Sequence, residues 1–336
     1  SSFAPSVPPP APVVVPSPVV SLPFDPYAET GGITAGLNNS STINNNVLGS
    51  SGYAGNSGIY SGNFDRFVPE TYAAMRKFRE ATRCDYTFLP GGKEGNSFGM
   101  SEIDLRMQLA IPCRYIPNNA PGQSGPGYFL VAPGANLVWW DGPVGPPNMS
   151  PNGFGAFLDL GMQPQITENF GLNAWFRFGV FSDFKHVASE ALRYQGRVEG
   201  NFTVSPEMKL TAGLIYMDRA RIRLMPTGGV IWTPRDDLIV RLVFPNPKIS
   251  KRLWKSSSEW WGYVQADYGG GCWSIDGLGK TDYNDIKIGT GVEFETYTRV
   301  GGYFEFGGSF GRELYTAGHK WASPPSVLYL KTGFIF

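Results

Sequence analysis

Apolar and polar residues alternate along most of the chain beyond residue 82. Over residues 101–111, Ile103, Leu105, Met107, Leu109 and Ile111 share one face, while Glu102, Asp104, Arg106 and Gln108 share the other. A period of two with one apolar face predicts a strand. The pattern returns at Phe154, Ala156, Leu158 and Leu160, and at Phe170, Leu172, Ala174, Phe176, Phe178 and Val180. It recurs at Leu192, Tyr194, Val198, Phe202 and Val204, and at Leu210, Ala212, Leu214 and Tyr216. Further runs are Leu238, Val240, Leu242 and Phe244, then Ile286, Ile288, Val292 and Phe294, then Val300, Phe304, Phe306 and Phe310. The last run, Leu328, Leu330, Phe334 and Phe336, carries the pattern to the final residue. Several of these segments are long enough for a tilted membrane crossing and exceed the roughly five or six residues of ordinary strands.

Tight connections at 163–169, 205–207, 233–236 and 296–299 alternate with longer ones at 141–151, 184–190, 245–258 and 311–325. Short inner turns and long outer loops are the habit of outer-membrane barrels. The predicted strands lie near 82–89, 100–111, 127–140, 152–163, 169–182, 190–204, 208–218, 221–233, 237–245, 258–267, 271–277, 284–296, 299–312 and 325–336. The reading is therefore all-β, a transmembrane antiparallel up-and-down barrel of about fourteen strands, falling to twelve if the split at Tyr268-Gly269-Gly270-Gly271 is removed. The 111–127 connection is long for an inner turn and counts against the scheme. An aromatic carboxy-terminus on an amphipathic strand resembles the assembly signal of such barrels, which makes Phe336 the candidate signal residue. Membrane lipid and the outer-membrane assembly machinery are then the expected partners.

The first 82 residues read differently. Ser1 to Pro26 holds nine prolines and favours an extended segment that cannot join a sheet, and residues 31–63 are rich in Gly, Ser and Asn. The domains expected are an amino-terminal arm (1–63), a short helix at the periplasmic side (64–82) and the barrel (83–336). The helix rests on Pro69 at a first-turn position and on Tyr72, Met75 and Phe78 opposite Arg76, Lys77 and Glu80. The arm reads first as a flexible leader; the alternative, motivated by Val13-Val14-Val15 and Phe24, is an extended segment docking on a neighbouring subunit of a homo-oligomer, the lumen or the cell wall.

Composition fits a barrel. Charged residues are 17 % and aromatics 14 %, with 43 Gly and 28 Pro; soluble domains carry roughly 25 % charged residues. No run reaches the 18 or so apolar residues of a transmembrane helix. With 28 basic and 28 acidic residues there is no global charge to attract nucleic acid. The electrostatic interest lies in arrangement. With the apolar face outward, Arg177, Arg193, Arg197, Lys209, Arg221, Arg223 and Arg241 point into the lumen from one side, and Glu102, Asp104, Asp285, Glu293, Glu295 and Glu305 from the other. Opposed walls of this kind make a transverse field, unless the charges meet and close the lumen. The tryptophans Trp139, Trp140, Trp232, Trp254, Trp260, Trp261, Trp273 and Trp321, with Tyr329, fall mostly near predicted strand ends, as in an interfacial belt.

Other chemistry is poorly supported. His186 and His319 fall in predicted outer loops without a flanking catalytic motif, so no enzyme is expected. Three cysteines and two distant histidines give no metal cluster, Gly269-Gly270-Gly271 opens no helix, and no cofactor is expected. Of Cys84, Cys113 and Cys272, the first two are a candidate disulfide near one rim, the alternative being three unrelated thiols.

The segments Tyr86-Thr87-Phe88-Leu89-Pro90-Gly91-Gly92, Gly229-Val230-Ile231-Trp232-Thr233-Pro234, Phe244-Pro245-Asn246-Pro247-Lys248, Tyr268-Gly269-Gly270-Gly271-Cys272-Trp273 and Phe310-Gly311-Arg312-Glu313-Leu314 resemble an uncharacterised family of outer-membrane barrels from planctomycete-like bacteria. The resemblance spans about residues 83–336 and implies a porin- or transporter-like barrel without a mechanism. The expectation is a passive pore in the bacterial outer membrane for small hydrophilic solutes. The alternatives are a closed structural barrel whose arm mediates assembly or wall attachment, and a hydrophobic-solute channel. The last needs a lateral opening, for which Pro245 and Pro247 are the hint.

Overall fold

A computed structural model describes residues 80–336 except 93–95, 120–126, 144–149, 186–188, 257, 297–299, 317–318 and 336. The arm, most of the expected helix, His186 and Phe336 lie outside the described residues. Residues 80–82, expected to end that helix, instead begin a strand, because Thr82 and Arg83 pair with Met107 and Arg106 of the next one.

The strands are β1 (Glu80–Leu89), β2 (Gly99–Cys113), β3 (Gly127–Asp141), β4 (Asn152–Met162), β5 (Phe170–Ser182), β6 (Leu192–Ser205), β7 (Met208–Tyr216) and β8 (Leu224–Arg235). They continue as β9 (Leu238–Phe244), β10 (Lys248–Lys255), β11 (Ser258–Ile275), β12 (Gly279–Thr296), β13 (Gly301–Thr316), the short β14 (His319–Ala322) and β15 (Val327–Ile335). Each strand from β1 to β13 pairs antiparallel with the next, and β15 joins β13 to β1. Cys84↔Phe334 and Phe88↔Leu330 are among the closing pairs. The result is a closed barrel of fourteen strands, with β14 appended to β13 beyond the wall.

The period-two pattern sorts the side chains as expected. On β6, Leu192, Tyr194, Val198, Phe202 and Val204 are exposed, while Arg193, Gln195, Arg197 and Glu199 are buried. The same division runs round the barrel, leaving an apolar outer belt that includes Phe176, Leu214, Phe304 and Leu330. Closure satisfies the backbone within the wall and the belt faces hydrocarbon, which together make this a transmembrane barrel of the bacterial outer-membrane type.

Two strand assignments differ from the sequence reading. The segment expected as a long outer loop, 245–258, contains β10; its alternation is obscured by a register shift between Arg252 and Trp254 that exposes both Leu253 and Trp254. The expected split at residues 268–271 does not exist, because β11 runs unbroken through Gly269-Gly270-Gly271. The errors offset, and the strand count stands. The Pro-rich 111–127 connection is tied down at one end by Asn118 bridging to Gln165 of the neighbouring inner turn.

The largest departure from a simple cylinder is at the outer rim. The β10 pairing of β11 ends near Gln265, opposite Lys248, yet β11 continues to Ile275 and pairs with β12 throughout. Beyond a line running from Gly270 through Asn284 to Gly311, β11, β12 and β13 lean inward as a three-stranded flap. Gly270 sits at φ +101° and Gly311 at φ +57°, and the β12–β13 register shifts between Asn284 and Ile286. A Cβ at Gly270 would collide with the Tyr283 carbonyl. A bulge and two left-handed glycines at one level supply the bend. Past it, residues 270–275 and 281–285 are buried on both faces.

The flap crosses the mouth. Fourteen strands about 4.8 Å apart, tilted about 40°, enclose a cylinder about 28 Å across. From Gln265 to Ser274 the strand can reach about 30 Å. Ser274 indeed pairs with Ser182 at the end of β5, on the opposite wall, in a single parallel bridge.

Candidate functional site: a charged lumen beneath a folded flap

Five of the seven expected basic residues, Arg177, Arg193, Arg197, Lys209 and Arg241, are buried on the lumen face, as are Glu102, Asp104, Asp285, Glu293 and Glu305 among the acidic ones. Glu295 keeps the inward parity but is half-buried near the inner end of β12. Arg221 and Arg223 are corrections. Both are exposed in the β7–β8 connection, because β7 ends at Tyr216 and β8 begins only at Leu224.

The charges are matched with neighbours along the wall. Asp159 of β4, fully buried, receives Arg177 Nε at 2.6 Å and Nη2 at 2.9 Å, and Arg106 Nη1 at 3.2 Å. The Arg177 guanidinium also lies 3.8 Å from the centre of the Phe157 ring. Lys248 of β10 donates to Glu293 of β12 at 2.7 Å, Lys287 to Asp285 at 2.9 Å, and Arg83 to Asp85 at 2.6 Å. Arg197 pairs with Glu199. Glu305 accepts from Tyr263 and Gln265 at 2.8 Å and from Tyr329 at 2.5 Å. Asn136 donates to both Glu102 and Asp104, at 2.8 and 3.1 Å. Burying such groups is tolerable only with partners of this kind.

The larger pattern of sign survives the local pairing. Arg177, Arg193, Arg197, Lys209, Arg241 and Lys248 occupy β5 to β10, while Glu102, Asp104, Asp285, Glu293 and Glu305 occupy β2, β12 and β13. Glu199 interrupts the first group and Asp159 on β4 borders it, while Arg83, Arg106, Lys287 and Lys331 lie within or beside the second. A polar, charged interior within an apolar exterior is the arrangement of a pore or channel barrel.

The flap is held at both ends. At its tip, Trp273 packs edge-on against Trp140 of β3 with ring centres 5.2 Å apart, and its Nε1 donates to Asn136 Oδ1 at 3.4 Å. Asp183 N donates to Ser274 O, and Asp276 N to Asp183 Oδ2, both at 3.2 Å. Near the bend, the fully buried Arg219 of the β7–β8 connection reaches Gly269 O and Gly270 O at 2.9 Å each and Asn284 Oδ1 at 2.7 Å. These carbonyls belong to the edge of β11 that β10 leaves unpaired. Asp282 Oδ2 accepts from Ala220 N at 2.5 Å and Arg221 N at 3.1 Å. On β13, Arg312 donates to Tyr283 Oη and to Pro325 O at 3.0 Å and bonds Phe98 O.

Sequence reasoning missed Arg219 and Arg312, which work from a loop and from beyond the bend. It also missed an apolar layer under the flap, comprising Phe98, Met100, Val138, Trp140, Phe181, Trp273 and Ile275. The visible signal is apolar residues on both faces of one strand, as at Trp139-Trp140 and Phe181 beside Val180. The expected aromatic belt divides accordingly. Trp139, Trp232, Trp254 and Trp260 are exposed outward, Trp140, Trp261, Trp273 and Tyr329 are buried, and Trp321 is half-buried.

The expected Cys84–Cys113 disulfide is excluded by register. Cys84 lies opposite Leu105, eight residues along β2 from Cys113, or about 26 Å, whereas a disulfide needs Cα atoms within about 7 Å. None of Cys84, Cys113 and Cys272 is in a disulfide. His319 is exposed on β14.

No protein-family model and no curated protein matches the chain. Among solved structures it is similar to the NanC porin, at 8 % identity and a TM-score of 0.35, covering 77 % of this chain and 99 % of that one. It is also similar to the translocator domain of the autotransporter NalP from Neisseria meningitidis, at 10 % identity and 0.38, covering 81 % and 92 %. An outer membrane channel from Pseudomonas putida F1 gives 10 % identity and 0.38, covering 79 % and 97 %.

Proposed function

We propose that the protein is an outer-membrane channel for passive diffusion of small hydrophilic solutes, with a charge-segregated lumen and an outer mouth closed by the flap. The observation that carries this reading is the lumen face itself, where a cationic arc on β5 to β10 stands against carboxylates on β2, β12 and β13. A transverse field of this form orients dipolar solutes and rejects apolar ones. The test is reversal potential across planar bilayers under a salt gradient. Replacing Arg193, Arg197 and Arg241 together by Gln is expected to shift selectivity toward cations, and an unchanged reversal potential would contradict the charged-wall reading.

The motifs behind the planctomycete-like resemblance support that kinship as part of this proposal. Residues 268–273 span the bend of the flap, residues 310–314 its β13 counterpart, and residues 244–248 the turn below it. Recognition of the closing strand by the outer-membrane assembly machinery, and assembly of copies through residues 1–63, belong to the same proposal.

A further inference from the structure

The lumen below the flap is covered by more than its own wall. Side chains alone fill a barrel of about eight strands, and two facing sheets mesh only when about 10 Å apart. Opposite walls here stand about 28 Å apart, which leaves a bore roughly 18 Å across inside the two layers of side chains. An empty bore would wet the inner half of the wall. Yet Thr211 and Asn201, three and four residues from the inner ends of β7 and β6, are only 6 % and 4 % exposed. Long neighbours are not the whole cover, because Lys209, Arg197 and Arg177, whose side chains reach furthest from the wall, are buried as deeply. Nor does the far wall supply it. Among the described residues, the lumen hydrogen bonds below the flap join strands one or two apart, as Lys248 does with Glu293, Arg106 with Asp159 and Thr227 with Glu199.

The chemistry of the wall says what can lie against it. Many of its charges are already paired along the wall, as Arg177 is with Asp159 and Lys287 with Asp285, so a charged occupant would enter without a counter-ion. Left open are neutral groups of both kinds. Gln108 Nε2 and Asn173 Nδ2 are donors, and Asn173 Oδ1 and Gln195 Oε1 acceptors, all buried without a hydrogen-bond partner. They sit on β2, β5 and β6, too widely spread for one small ligand. An extended, uncharged occupant able to donate and to accept would satisfy them.

The chain carries such a segment. β1 starts at the inner rim, with Glu80 opposite Leu109, so the residues before it are delivered to the inner mouth. The uncharged stretch nearest to β1 in sequence includes residues 41–63, with five Asn, five Ser and five Gly and no Asp, Glu, Lys or Arg. Its amides and hydroxyls donate and accept, and its glycines let main-chain groups approach a wall closely. The intervening residues, 64–79, can span up to about 50 Å, twice the roughly 25 Å apolar height of such a wall. Residues 41–63 can therefore reach any depth of the lumen.

We infer that residues 41–63 fold back through the inner mouth and pack against the lumen wall beneath the flap, an internal constriction held by uncharged hydrogen bonds. The inference stands on the burial of the wall and does not require the channel reading. It leaves residues 1–40 to the assembly proposed above.

The test uses the full chain with the photo-crosslinker p-benzoylphenylalanine placed at Tyr53 and, separately, at Tyr60, irradiated in liposomes and mapped by peptide sequencing. Adducts are expected within one chain, on inward residues of the wall and not on outward ones such as Leu210 and Leu214. A second measurement follows Thr211→Cys, with Cys84, Cys113 and Cys272 replaced by Ala, by its rate of reaction with a charged methanethiosulfonate in detergent. Replacing residues 41–63 by an equally long Glu-Pro repeat, too charged and too stiff to pack there, should raise that rate about tenfold or more. Heat-modifiable mobility identifies the folded variants. Adducts confined to lipid or to a second copy, or a Thr211→Cys rate unmoved by the repeat, overturn the inference. Conductance separates the two ideas: lumen adducts in a bilayer that stays silent even with the repeat support the constriction and count against the channel, and conduction without lumen adducts does the reverse.

Discussion

Truncating Arg219 to Ala should release the flap. The side chain is fully buried and makes three hydrogen bonds, two of them to main-chain carbonyls on the β11 edge that have no strand beside them. In the closed arrangement the variant leaves Gly269 O and Gly270 O without their donor, and an unsatisfied buried acceptor costs about 1–3 kcal/mol. Removing a buried charge returns part of that through relief of desolvation. The net change is about 2–4 kcal/mol against the closed flap, or a shift of about 30- to 700-fold in the closed-to-open equilibrium. Single-channel recording should show a higher open probability, and limited proteolysis should cut faster at the tip, Asp276-Gly277-Leu278. If folded Arg219→Ala protein gives the wild-type conductance record and the wild-type cleavage rate, the flap is not held by this residue and the argument fails.

The converse perturbation is a tether: with Cys84, Cys113 and Cys272 first replaced by Ala, Ser182→Cys and Ser274→Cys should form a disulfide, because the two positions are paired across the mouth. Conductance should then fall under oxidant and recover under reductant, and insensitivity to both despite a formed bond would show that solutes do not pass the flap. Asp159→Asn keeps the shape of the side chain but leaves Arg106 and Arg177 around a neutral amide, so the barrel should lose about 3–5 kcal/mol in equilibrium urea unfolding from lipid. A loss below about 1 kcal/mol would mean that this buried triad behaves like a surface pair.

Much of the wall was legible because a transmembrane barrel has few ways to sort its residues. A strand such as β6, with Leu192, Tyr194 and Val198 outward and Arg193 and Arg197 inward, announces both faces at once. What defeated sequence reading were places where one strand changes environment along its length. Past Gly270 the two faces of β11 no longer mean lipid and lumen, since both are enclosed, so residues 270–275 looked like a new strand. The triple glycine read as a turn, and only Tyr283 on the neighbouring strand explains why Gly270 is needed for a bend. β10 was hidden by its register shift and its cationic inner end, Lys251 with Lys255. Pairs such as Lys248 with Glu293 join strands that are two apart in the wall, a relation that alternation alone cannot reveal.

The bend at Gly270, Asn284 and Gly311 divides one sheet into a wall and a plate. The flap remains hydrogen-bonded within itself across that line, from Gly271↔Tyr283 to Asp282↔Tyr315, so it would move as one plate and not strand by strand. Tilted inward, the plate blocks the axial path and leaves the side of the barrel short of strands above Pro245-Asn246-Pro247. Tilted upright, it would clear the axis and pull Tyr268 away from Ile215, Met217 and Met225. Opening would therefore be decided at the plate's edges, where Arg219, Arg312 and the Ser182–Ser274 bridge hold it, and not within its own ladder.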